Sequence, residues 1–70
     1  MKSKDFKEAI TYYTKSIEYD GTLAASYCNR ALAYLKLKEY DKVITDCNIA
    51  ISLDPNYLKA YHRRGKAKFA

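Results

Sequence analysis

Slid along itself until Ile10 meets Ile44, the chain repeats: at that same offset Thr11 meets Thr45, Ile17 meets Ile51, Asp20 meets Asp54, Tyr27 meets Tyr61, Arg30 meets Arg64 and Ala33 meets Ala67. Softer matches fill the gaps, Phe6 with Tyr40, Ala9 with Val43 and Ser16 with Ala50. A unit as short as this offset is too small to bury a core alone, so such units are stable only when stacked on their neighbours. The repeat therefore restricts the chain to an array of small supersecondary units.

Each unit reads as helical. Phe6, Ala9, Ile10, Tyr13 and Ile17 recur at three- and four-residue steps, as do Val43, Cys47, Ala50 and Ile51, which puts each set on one helix face. Segments 23–37 and 57–70 are dense in alanine, leucine, lysine and arginine, which are strong helix formers. The turn signals Asp20-Gly21-Thr22 and Asp54-Pro55-Asn56, again one repeat offset apart, and a break near Lys38 and Glu39 separate the segments. The spacing predicts an all-α fold with helices at 4–19, 23–37, 40–53 and 57–70 in one domain spanning 1–70. A chain of this length buries only about 60% of its unfolded surface, so modest stability is expected.

The formal charge of +5 is unevenly placed. In residues 1–20, Lys2, Lys4, Lys7 and Lys15 cancel Asp5, Glu8, Glu18 and Asp20; in 21–56, Arg30, Lys36, Lys38 and Lys42 cancel Glu39, Asp41, Asp46 and Asp54. The excess belongs to Lys59, Arg63, Arg64, Lys66 and Lys68. On the helix predicted there, Lys59, His62, Arg63 and Lys66 form one continuous basic stripe. Such a stripe calls for an anionic partner, either a polyanion or a carboxylate.

Other classes are excluded on chemistry. A nucleic-acid surface would interleave aromatics with the stripe for base stacking, and the stripe has none, so no nucleic acid is expected. No hydrophobic run approaches the roughly 20 residues of a membrane span, so no membrane partner is expected. The opening MKSKDFKE lacks the apolar region of a secretory signal, which makes the cytoplasm the expected compartment, although a longer parent could carry a signal elsewhere. Cys28 and Cys47 form no CxxC pair and have a single histidine for company; they read as reduced, small apolar side chains, with no metal site. With His62 isolated, no Gly-rich phosphate loop, and no nucleophile followed by a recognisable base, neither an enzyme nor a cofactor is expected. Tyr27, Tyr34, Tyr40 and Tyr61 stand at repeat phase and are expected in the core, with Tyr12, Tyr13, Tyr19 and Tyr57 in partly exposed seams. Arg30 and Arg64, equal in phase, point away from the stripe and are assigned to structure.

The helix-turn-helix period, with Tyr27, Ala31, Tyr34, Tyr40, Ile44, Ala50 and Pro55 at its marked positions, resembles the tetratricopeptide repeat. The resemblance covers almost the whole chain. It departs at Arg30, where leucine is usual, and at Val43, where alanine is usual. It implies that 4–19 is the second helix of one repeat, 23–53 a complete repeat, and 57–70 the first helix of a third. The first of these then lacks its leading partner, leaving an uncovered stripe of Phe6, Ile10, Tyr13 and Ile17 and an expectation of homo-oligomers formed through it. In stacked repeats the leading helices line a concave groove. The resemblance places Cys28, Asn29, Leu32 and Lys36 there, facing Lys59, His62, Arg63 and Lys66 on the next leading helix.

Tyr27-x-Asn29-Arg30-Ala31 together with Lys59-Ala60-Tyr61-x-Arg63-Arg64-Gly65 looks like the dicarboxylate-clamp subfamily. Its members are co-chaperones that hold the C-terminal Glu-Glu-Val-Asp tail of the seventy- and ninety-kilodalton heat-shock chaperones. The likeness implies a C-terminal peptide of such a chaperone as the protein partner. Asn29, Lys59 and Arg63 match three of the five clamp residues; Lys36 and Lys66 would assist, and Leu32 and His62 would line the groove. A terminal aspartate offers two carboxylates, which an amide, an ammonium and a guanidinium can satisfy by charge-assisted hydrogen bonds. Three such bonds at about 1.5–3 kcal/mol each give about 4.5–9 kcal/mol gross. An association cost of at least about 4 kcal/mol leaves the expected affinity weaker than micromolar. The alternative is a generic repeat scaffold that binds another peptide or helix, or that self-associates through its uncovered helix.

Overall fold

The computed structural model describes residues 3–69. Its elements are α1 (Ser3–Tyr19), α2 (Ala24–Lys36), α3 (Tyr40–Leu53) and α4 (Leu58–Lys68), with no strand among the described residues. The helices fall within two residues of the bounds that the spacing predicts; position 70 lies outside the described residues.

Small side chains make the core. Cys28, Ala31, Val43, Cys47, Ala50 and Ala60 are fully buried, and none is larger than valine. Residues of this size at helix crossings let backbones approach closely, and Tyr27, Tyr34, Leu35, Ile44 and Tyr57 pack around them partly buried. Val43 fits where the repeat usually carries alanine, at no cost in exposure.

The helix α2 is central. It touches α1, α3 and α4, and α3 also touches α4, whereas α1 and α3 make no backbone contact among the described residues. The layer of α2 and α4 is thus drawn together while the layer of α1 and α3 splays. The result is a slab of 32 × 31 × 16 Å that curves toward the α2–α4 side.

The sequence period recurs as a period of bonds. The Tyr27 hydroxyl donates to the Gly21 carbonyl at 3.2 Å, and the Tyr61 hydroxyl to that of Pro55 at 3.0 Å. The Thr22 amide donates to Asp20 Oδ1 as the Asn56 amide does to Asp54 Oδ1, fixing the turn before each leading helix. Arg30 Nη1 donates to Thr14 Oγ1 at 3.2 Å, and Arg64 Nη1 to Asn48 Oδ1 at 2.9 Å. Each guanidinium lies over its own tyrosine, Tyr27 or Tyr61.

Arg30 has a further grip: its Nε donates to Asp46 Oδ2 at 2.8 Å and its Nη2 to Asp46 Oδ1 at 2.6 Å. Asp46 is 3% exposed, so this bidentate pair ties α2 to α3 from within. It explains the departure from leucine at position 30, because a long stem crosses the apolar layer and its fork is satisfied at the far end. The structural assignment of Arg30 and Arg64 therefore has a bond-by-bond basis.

Candidate peptide-binding groove

On α4, Lys59, His62 and Lys66 are exposed and Arg63 is half-buried. The burial has a cause: Arg63 Nη1 donates to the backbone carbonyl of Cys28 at 2.8 Å and lies 2.8 Å from its Sγ. A cation from α4 is thereby fastened to the middle of α2. Arginine carries five N–H donors, and no buried side-chain polar atom among the described residues lacks a partner, so the donors of Arg63 that Cys28 does not take face solvent.

Asn29 follows Cys28 directly and lines a cleft of about 210 Å³ with Leu32, Lys36, Phe6, Ala9 and Tyr13. The structure thus gathers Asn29, Leu32 and Lys36 into one concavity on α2. Arg63 joins the same stretch of α2 through its neighbour. Lys59, His62 and Lys66 stand on α4 outside this cleft, with exposed side chains. Phe6 and Tyr13, two of the four residues of the stripe expected to be uncovered, are half-buried and line this cleft.

Two expectations need correction. Cys28 does not face the groove: it is fully buried, and only its carbonyl and sulfur meet a groove residue, Arg63. The resemblance put it on the inward face, which adjoins the core-facing side of α2. Tyr61 is not a core residue either; it is 39% exposed because nothing covers its side of α4 among the described residues. Sequence reasoning also missed Asp46, whose burial had no signal of its own, and the part that Phe6, Ala9 and Tyr13 play beside Asn29. The three-and-four spacing of those α1 residues was visible, but not that α2 would bring Asn29 against them.

Both cysteines are free and buried. Burial, and next the neighbouring Cys28 thiol, push the Cys47 thiol up to about 11, so it stays neutral and apolar in character. No group of three or more His, Cys, Asp or Glu side chains among the described residues could hold a metal ion. No helix among the described residues is long and apolar enough to cross a membrane.

A curved array of repeated helix pairs, with polar and basic groups on its inner layer, defines a helical-repeat protein. The tetratricopeptide-repeat family model matches residues 24–57, and a second model of the same repeat matches residues 1–22; the chain belongs to that family. Over all 70 residues it is 47% identical to the small glutamine-rich tetratricopeptide repeat-containing protein 2 of Saccharomyces cerevisiae, of which it spans 20%. Among solved structures, the second TPR of Spaghetti (RPAP3), bound to the HSP90 peptide SRMEEVD, matches with 45% identity and a TM-score of 0.90, over 91% of this chain and 59% of that one. The second TPR domain of the human RPAP3 protein, in complex with the HSP70 peptide SGPTIEEVD, matches with 46% identity and a TM-score of 0.87, over 90% of this chain and 52% of that one.

Proposed function

We propose that this chain is a protein-interaction module that holds the acidic C-terminal peptide of a heat-shock chaperone in a carboxylate clamp. Asn29, Lys59 and Arg63 bind the terminal carboxylates, Lys36 and Lys66 add positive charge, and Leu32 and His62 flank the peptide. The observation that carries this reading is the bond from Arg63 to the Cys28 carbonyl, one residue before Asn29, which brings a guanidinium from α4 to the stretch of α2 that presents the amide. The peptides held by the two RPAP3 domains both end in Glu-Glu-Val-Asp, the chemistry that such donors satisfy. The role is binding rather than catalysis, and its setting is the cytoplasm.

Anchoring Arg63 before the ligand arrives lowers the ordering cost of binding, since long cationic side chains otherwise lose about 0.5–1.5 kcal/mol each on capture. The Asn29 amide and the Lys59 ammonium complete a set of donors that, among the described residues, have no carboxylate paired with them. The test is calorimetric titration of the peptide SRMEEVD as free acid and as C-terminal amide. The acid is expected to bind at least about tenfold more tightly than the amide, and Lys59→Ala to weaken it about tenfold, the size of one charge-assisted bond. Lys59 is exposed, so that substitution leaves the fold intact. Equal affinity for acid and amide would point to a scaffold that reads some other feature of a peptide.

A further inference from the structure

Arg63 is held at two points, and both belong to one residue. The Cys28 carbonyl and the Cys28 Sγ each lie 2.8 Å from Arg63 Nη1, a nitrogen that carries two N–H groups. Two acceptors on one nitrogen fix the plane of the guanidinium as well as its position, whereas one would leave it free to swing. Nη1 is thereby used up. Nε and Nη2 have no acceptor among the described residues, and no carboxylate there pairs with Arg63. Arg30 shows what such a division of donors achieves: its Nη1 goes to Thr14 Oγ1, and its Nε and Nη2 take Asp46 Oδ2 and Oδ1 side-on at 2.8 and 2.6 Å. In Arg63 the same edge, Nε with Nη2, meets solvent where Arg30 meets a carboxylate.

We propose that Cys28 is a positioning residue of the clamp: its carbonyl and its thiol each accept one N–H of Arg63 Nη1, which aims the Nε–Nη2 edge at a carboxylate of the bound peptide. The inference rests on the carboxylate-clamp reading and adds to it a side chain that is fully buried and so out of the peptide's reach. The carbonyl alone does not suffice. Within α2 it also accepts the amide one turn on, and every residue type at position 28 would offer the same oxygen. The sulfur is what the residue type decides. Cys28 is buried in one cluster with Ala31, Cys47 and Ala60, and Ala60 stands one turn before Arg63 on α4. A larger side chain at position 28 would hold α4 off α2 and carry Nη1 out of reach, whereas alanine would leave one N–H of Nη1 without an acceptor. A thiol sulfur is a weak acceptor between neutral groups, and a guanidinium donor strengthens the bond.

The test titrates the peptide SRMEEVD into isotopically labelled wild type, Cys28→Ala and Cys28→Ser, and into Arg63→Ala with and without Cys28→Ala, under reducing conditions. Cys28→Ala is expected to weaken binding about three- to tenfold, the size of one hydrogen bond. Cys28→Ser, whose Oγ accepts in place of the sulfur, is expected to bind within about twofold of wild type. A merely structural role predicts the reverse order, because a hydroxyl is the costlier replacement in an apolar core. In the Arg63→Ala background Cys28→Ala is expected to change nothing, whereas a cavity acting through the fold would weaken binding there as well. The free wild type is expected to show separate, slowly rotating Nη1 and Nη2 proton signals for Arg63, averaged into one in Cys28→Ala. The proposal is overturned if both Cys28 variants bind as wild type does, or if the loss persists without Arg63. It is also overturned if the wild-type signals are already averaged, a reading that needs no variant to fold. Failure of the clamp reading looks different: the wild type then binds SRMEEVD and its C-terminal amide alike, which overturns the clamp while the Arg63 signals stay separate.

Discussion

At Lys38 the backbone takes φ 62°, the left-handed region that side-chain-bearing residues adopt at a cost. The residue closes α2: the Glu39 amide donates to the Tyr34 carbonyl and the Lys38 amide to that of Leu35, both at 3.0 Å, the pattern of a Schellman cap. Glycine suits this position best, so Lys38→Gly is expected to stabilise the protein by about 0.5–1 kcal/mol, read as a shift in the urea midpoint with unchanged slope. The sequence showed a break here, between two helical patterns, but not its geometry, because the glycine that usually announces such a cap is absent. The thiols give a second expectation at this scale. The Cys47 pKa is raised from 9.0 to about 11, which favours the neutral thiol in the folded state. That contribution is whole below the unfolded thiol pKa and is lost as pH rises through about 11. The urea midpoint should therefore fall between pH 9 and 11, and Cys47→Ala should flatten the fall. Near pH 8 a thiol-specific reagent should label Cys28 and Cys47 no faster than the chain opens.

Between elements, the pair that decides stability is Arg30 with Asp46. Removing one partner of a buried pair leaves the other charge stranded, which costs about 3–5 kcal/mol, whereas replacing both with apolar residues is often neutral. Asp46→Asn is expected to destabilise by about 3 kcal/mol, a discount for the part of Arg30 that still reaches water. Arg30→Leu combined with Asp46→Leu should recover most of it, and a double-mutant cycle by urea unfolding checks both statements. Helix positions were legible because the apolar residues keep three-and-four spacing and the turns carry Asp-Gly and Asp-Pro. The buried pair was not legible: an arginine and an aspartate on separate helices look like solvated charges until packing places them together. The same applies to Arg63, whose membership of the basic stripe could be read from spacing while its bond to the Cys28 carbonyl depends on how closely α4 approaches α2.

Across the whole molecule, charge and shape are arranged separately. The repeat builds a slab whose drawn-in side carries α2 and α4, and the excess of +5 sits almost entirely on the last of these helices. An acidic peptide approaching the groove therefore meets a one-ended positive field, since the charges of α1 cancel one another and α2 carries no carboxylate. Such fields act mainly on encounter: they raise the association rate at low salt and fade once the screening length falls below about 10 Å, near 0.1 M. Between about 0.05 and 0.5 M salt the association rate of an acidic C-terminal peptide is expected to drop by roughly five- to tenfold. Its dissociation rate, which the bonds proposed for Asn29, Lys59 and Arg63 would set, should change by less than about twofold. Stopped-flow fluorescence with a labelled peptide separates the two rates. A dissociation rate that climbs as steeply as the association rate falls would mean that diffuse charge on α4 holds the peptide and that the three donors do not. The same measurement with a duplex oligonucleotide should show no saturable binding at about 0.15 M salt, since the stripe offers its cations no aromatic platform and the groove suits a single extended chain end.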